Sequence, residues 1–269
     1  MFLNTYYKSH IIEKPRFIIL HCCDFSHASF KKEHPYVLWQ RINVGAHYIV
    51  WTSGNITQCI PWHKNGGCFV IRHAGPSNWK QRARMDHEKG FVTLNYDALG
   101  IEIESPGFID PLNGADQKGR YFTQQINAVR RLVSQLQRRF DIPDSHVLGH
   151  FEISPYRIVE GRVVLGKNDP SEAFPFWFYR PKRMALSFED KKDLRRFIKK
   201  SLEQIGYDLN RDGAVSGEQD PLVMKFCLLA FCRRYAPEYV SWCKVWEGKD
   251  VFGIPLMMLR KLKGVSAQK

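Results

Sequence analysis

The chain has 269 residues, of which 44% are hydrophobic and 25% charged, a composition that fits a folded globular protein and excludes disordered and fibrous classes. Its length accommodates one sizeable core and a smaller second one. The formal net charge is +13, and residues 180–269 hold 19 Lys and Arg against 11 Asp and Glu; such a field attracts nucleic acid, anionic lipid or a carboxylate-bearing wall polymer without choosing among them.

No run approaches the roughly 18 consecutive apolar residues that span a bilayer, and the opening MFLNTYYKSHIIEKPR has no apolar signal core. A cytoplasmic site is expected, or one outside the cytoplasm where a leader has been removed ahead of this numbering or export takes another route. The seven cysteines, at 22, 23, 59, 68, 227, 232 and 243, are odd in number and lack a repeated spacing. They read as free thiols.

In chain order, Phe17 to Leu20 is a continuous apolar run after Pro15 and predicts a buried strand with His21 at its carboxyl end. AHYIVWTSGNITQCIP predicts a hairpin turning at Ser53-Gly54-Asn55. Leu99 to Ser105 alternates with period two, which puts Glu102 and Glu104 on one face and Ile101 and Ile103 on the other. Thr123 to Phe140 carries Ile126, Val129, Leu132, Val133, Leu136 and Phe140 as a helical stripe, with Thr as its cap. Val147-Leu148-Gly149 is a short strand or turn that delivers His150.

Strands and helices thus mix within residues 1–180, and the fold expected is α/β, a mixed central sheet flanked by helices. After Arg180 the character changes. Ser187-Phe188-Glu189-Asp190 is a helix-start signal; Leu194 to Ile205, Asp220 to about Arg234, and Ile254 to Leu262 then predict a small all-α domain over residues 187–269.

There are 10 histidines. His21 closes an apolar strand, His150 follows Leu148-Gly149, and Asp169 lies in Lys167-Asn168-Asp169-Pro170. Two histidines and a carboxylate are a common ligand set for catalytic zinc, with one position left for water. Their spacing matches no local metal motif.

The order of the blocks is more specific. IILH, GAHYIVWTSGNITQCIP, RHAGPSNW, LNYDALGIEIES, VLGHFEISPYR and KNDP resemble, over about 160 residues, the zinc N-acetylmuramoyl-L-alanine amidases of the amidase-2 family, related in fold to phage amidases and animal peptidoglycan recognition proteins. The resemblance implies one Zn2+ held by His21, His150 and Asp169. It implies hydrolysis, by zinc-activated water, of the amide joining N-acetylmuramic acid or its 1,6-anhydro form to the L-alanine of the stem peptide. Glu102 matches the acidic residue that acts on the water and Lys167 the basic residue that steadies the oxyanion. His47 and His73 match recurrent family positions, and with Asn78 and Trp79 they are expected to line the substrate groove, although a packed histidine and a core tryptophan explain these residues as well.

The sequence departs from the family between the second histidine and the aspartate. The usual link is a compact Pro-Gly-Arg-Lys-x-Asp-Pro-Gly run, whereas Ile158 to Gly166 intervene here and Ser171 stands for the last glycine. A hairpin that leaves the ligand geometry intact accommodates such an insertion; Asp144 and Glu152 are the alternative carboxylates. In the carboxy-terminal part, LEQIGYDL and DPLVMKFCLLAFCRRYAPE resemble the three-helix peptidoglycan-binding domain that follows some of these amidases, which implies peptidoglycan or muropeptides as partners. A recognition protein that keeps the fold and lacks catalysis is the second reading. Nucleic acid is not expected as a partner, because no interleaved basic and aromatic motif, helix-turn-helix or zinc finger is present.

Overall fold

The computed structural model describes residues 10–23, 39, 44–80, 83–87, 90–105, 121–170, 174–176, 194–209, 220–247 and 254–268. In chain order the strands are β1 (Ile11–Ile12), β2 (Phe17–Cys23), β3 (Tyr48–Val50), β4 (Ile56–Gln58), β5 (Cys68–Phe69), β6 (Arg84–Asp86), β7 (Phe91–Thr93), β8 (Ala98–Glu104), β9 (Val147–Gly149), β10 (Tyr156–Val159) and β11 (Arg162–Leu165).

The central sheet has the order β4-β3-β8-β2-β9. It is mixed: β3, β8, β2 and β9 run parallel and β4 returns antiparallel through the predicted hairpin. Phe17, Ile18, Ile19 and Leu20 are all 0% exposed, because β2 is an inner parallel strand and has no wet face. That is why its apolar run is continuous while β8, whose end is partly open, alternates.

Helix α1 (Thr123–Phe140) buries Val129, Leu132, Val133, Leu136 and Phe140 as expected. Two details differ from the sequence reading. The cap position is Phe122, with no side-chain cap, and Gln125 is fully buried while Ile126 is only half-buried. The physical reason is that Gln125 Nε2 donates to the Val50 and Glu104 carbonyls, at 3.2 and 2.7 Å, satisfying backbone acceptors at the ends of β3 and β8 that an isoleucine could not.

The segment inserted after His150 is a β-hairpin. Helix α2 (His150–Ile153) leads into β10 and β11, which pair antiparallel from Tyr156↔Leu165 to Val159↔Arg162. The two turn residues, Glu160 and Gly161, have φ of 49° and 73°, the pattern of a type I′ turn whose twist suits two-residue hairpins.

The carboxy-terminal part is helical: α3 (Leu194–Ile205), α4 (Asp220–Tyr235), α5 (Val240–Val245) and α6 (Leu256–Ser266). α3 packs on α6 and α4 on α5. Helix α5 is additional to the three predicted, being only six residues long with Val240 and Cys243 as its buried face. The helix-start signal at Ser187 lies outside the described residues.

Packing gathers the chain into two compact units, one from Met1–Ser77, Ala83–His150 and Ala173–Pro175 and one from Asn78–Arg82, Phe151–Glu172 and Phe176–Lys269. Among the described residues, no helix is long and apolar enough to cross a membrane.

Candidate metal centre

The sheet register brings the first pair of residues together. His21 on β2 stands directly opposite Glu102 on β8, and registered neighbours project to the same face. Leu20 pairs with Gly149 on β9, so the next residue of that segment, His150, emerges beside His21.

Three imidazoles then form a chain whose proton positions follow from the acceptors at its ends. A carbonyl only accepts, so His150 Nε2, 3.1 Å from the Ala74 carbonyl, carries a hydrogen. In the neutral ring its Nδ1 therefore presents a lone pair. His73 Nε2 donates to the Ala98 carbonyl at 3.3 Å, which leaves its Nδ1 to accept from His21 Nε2 at 3.0 Å. The Nδ1 of His21 is then also a lone pair, and it lies 2.9 Å from Nδ1 of His150. Two converging lone pairs repel unless a cation stands between them.

A tetrahedral zinc with nitrogen ligands at about 2.0–2.1 Å sets those nitrogens about 3.3 Å apart, close to this separation. A shared proton would reconcile the two nitrogens alone, but a third donor is present. His21, His150 and Asp169 each offer one ligand atom, all within 4.8 Å of one another, and they are the one such group among the described residues. Two buried imidazoles and a partly exposed carboxylate thus match the donor set of catalytic zinc.

The insertion does not divert Asp169. The Gly166 N–H donates to the Pro155 carbonyl and the Lys167 N–H to the Ser154 carbonyl, at 3.0 and 2.7 Å, so the hairpin closes on itself and the chain resumes where it left. The Phe151 N–H donates to the Asp169 carbonyl at 3.0 Å, fixing the aspartate beside the residue that follows His150. The alternative carboxylates are engaged elsewhere: Asp144 is exposed and accepts from Gln137 at 2.9 Å, and Glu152 is fully buried against Arg234 at 2.6 Å.

Glu102 is partly exposed. Glu104, on the same face as predicted, accepts from the Thr52 N–H at 2.6 Å and its hydroxyl at 2.8 Å, which ties it to the β3–β4 turn. Lys167 is half-buried, two residues before Asp169.

The four residues expected to line the substrate groove are placed differently from one another. His73 bonds to His21, and its ring lies against the sheet where Gly100 leaves room: a Cβ there would approach His73 Cγ to 2.6 Å. Loss of hydration, and next the neighbouring His21, hold its pKa well below the usual histidine value. His47 is 2% exposed and has both nitrogens on backbone, accepting from the Gly100 N–H at 2.9 Å and donating to the Phe69 carbonyl at 3.0 Å. Burial pushes its pKa down to about 4, with the Phe69 bond opposing. Asn78 and Trp79 are buried, and Trp79 packs edge-on against Tyr207 at 5.5 Å; a core tryptophan accounts for this placement.

Sequence reasoning passed over Asn95. Its side-chain oxygen accepts the N–H groups of both His73 and Ala74, at 3.0 and 2.8 Å, and so orients the two groups that set the tautomers of His21 and His150. An asparagine at a strand-linking turn is an ordinary turn residue in sequence, so nothing local marked it.

Residues 12–172 match the family Amidase_2, described as N-acetylmuramoyl-L-alanine amidase. A search of curated proteins by sequence finds no match. Among solved structures the chain is similar to AmpDH3 from Pseudomonas aeruginosa, with TM-score 0.64, 18% identity, and coverage of 100% of this chain and 98% of that one. A complex of AmpDH3 with anhydromuramic pentapeptide gives TM-score 0.62 at 19% identity, with coverage of 100% and 98%. AmiD from E. coli, in complex with the substrate anhydro-N-acetylmuramic acid-L-Ala-D-gamma-Glu-L-Lys, gives TM-score 0.59 at 18% identity, over 94% of this chain and 89% of that one. At these identities the likeness is one of fold.

Proposed function

Because the chain belongs to the N-acetylmuramoyl-L-alanine amidase family, we propose that it is a zinc-dependent amidase cutting the bond between N-acetylmuramic acid, or its 1,6-anhydro form, and the L-alanine of the stem peptide. The observation that carries this reading is the convergence of His21, His150 and the Asp169 carboxylate within 4.8 Å, on the sheet face where Glu102 stands opposite His21.

When bound, zinc supplies a Lewis acid that polarises the amide and makes water nucleophilic near neutral pH. Glu102 takes the proton from the attacking water and delivers it to the departing alanine nitrogen, so the C–N bond breaks to leave a lactyl carboxylate and a free amine. The Lys167 ammonium offsets the negative charge that develops on the carbonyl oxygen. His73 and Asn95 hold the ligand rings in the tautomers that point their lone pairs at one place. The segment 187–269 supplies affinity for wall polymer and performs no chemistry, an assignment its basic balance supports.

The test is mass spectrometry of a purified anhydromuropeptide after incubation with the full chain. Free stem peptide is expected, lost with a zinc chelator and restored by added Zn2+. Glu102→Gln keeps the side chain's shape but cannot accept the proton, so turnover should fall by about 100-fold or more with zinc retained. An intact muropeptide after incubation with zinc-loaded protein would identify a recognition protein instead.

A further inference from the structure

We propose that Arg233 and Arg234 on α4 are positioning residues of the metal centre, an inference that rests on the zinc reading above. The two segments that carry His150 and Asp169 have little means of holding themselves. Helix α2 is four residues long, far below the length at which a helix persists unaided, and residues 166–169 are irregular.

Adjacent arginines fasten both. Arg234 Nη1 donates to Glu152 Oε2 at 2.6 Å, and both side chains are 0% exposed; Glu152 lies two residues after His150. Arg233 Nη1 donates to the Lys167 carbonyl at 3.4 Å, two residues before Asp169, and its guanidinium lies 5.9 Å from the Phe151 ring centre. Phe151 in turn donates its N–H to the Asp169 carbonyl. One dipeptide thus reaches the residues flanking both ligands.

The helix that presents it is deeply packed. From Cys227 to Ala236 every residue of this stretch is buried, so the arginines are held by close packing on all sides, which is the way a preorganised site is supported. An ion pair with both partners dehydrated adds little to stability over an apolar pair of similar volume. Fixing the ligand segments gives this one a purpose beyond stability. The carboxy-terminal helices then belong to the metal centre as well as to any wall-binding surface.

The experiment measures zinc affinity in the full chain by competition with a chromophoric chelator, alongside thermal melts. Glu152→Leu combined with Arg234→Met removes both charges and keeps the volume, so it should fold. We expect it to hold zinc about 10- to 100-fold more weakly than the unchanged protein, the usual effect of losing a group that orients ligands. Cys227→Ala, a cavity on the same helix away from these contacts, should lower the melting temperature and leave zinc affinity unchanged. Should Arg234→Met alone fail to fold, the double variant still decides. A folded double variant with undiminished zinc affinity overturns the proposal. If the unchanged protein itself takes up no zinc, the amidase reading fails and this inference falls with it.

Discussion

His47 shows how a residue type that reads as functional can be committed to the fold. Its acceptor nitrogen takes the Gly100 N–H and its donor nitrogen serves the Phe69 carbonyl, so a second proton would break a backbone bond inside the core. With its folded pKa near 4 and an unfolded value near 6.5, the unfolded chain holds the extra proton between those limits. Stability is therefore fully present above about pH 6.5 and falls as the pH drops toward 4, by about 3 kcal/mol in all. Urea unfolding between pH 4 and 7 should show this slope, and His47→Gln should make it shallower by up to about 1.4 kcal/mol per pH unit. Equal slopes in the two proteins would mean that His47 is not held neutral. Its neighbours divide the remaining roles: Glu104 is spoken for by Thr52, which leaves Glu102 as the carboxylate on that face registered with His21.

At the scale of elements, the β10–β11 hairpin is what makes the long gap between His150 and Asp169 compatible with a single centre. Its closure depends on Gly166, where a Cβ would lie 2.0 Å from the Ser154 oxygen and 2.7 Å from the Tyr156 nitrogen. Both are backbone atoms and cannot step aside. Gly166→Ala should therefore break the bonds to Pro155 and Ser154, lowering stability by about 2 kcal/mol, and should weaken zinc binding by displacing the irregular segment that leads to Asp169. Gly161, at the far tip with nothing within 4 Å of an added Cβ, provides the comparison: Gly161→Ala meets only backbone strain, about 1 kcal/mol, and should bind zinc normally. Isothermal titration of both variants with Zn2+ checks this, and parallel losses would show that the hairpin's closure is not what places Asp169.

Over the whole molecule the dominant feature is charge. A protein at +13 meeting an anionic polymer associates through a field that salt screens, with a Debye length of about 10 Å at 0.1 M and about 3 Å at 1 M. Retention of the full chain on insoluble peptidoglycan should fall steeply between those concentrations, while cleavage of a small soluble muropeptide changes far less because its contacts are local. Co-sedimentation across a salt series measures the first and mass spectrometry the second. Salt-independent retention would point to a specific sugar or peptide pocket in place of charge.

Several features were legible from the residues alone because they obey local rules. Apolar periodicity located β2, β8 and α1, and turn residues located the β3–β4 hairpin. The order of six short blocks pointed to the family and to His21, His150 and Asp169. What the sequence could not decide depends on partners distant along the chain. The tautomers of His21 and His150 are set by carbonyls at Ala98 and Ala74 and by Asn95. The uses of Glu104, Glu152 and His47 are set by Thr52, Arg234 and Gly100. Periodicity says which face a side chain occupies, but a hydrogen bond or ion pair forms only with the group that folding brings within about 3 Å of it, and that is decided by sheet register and helix packing.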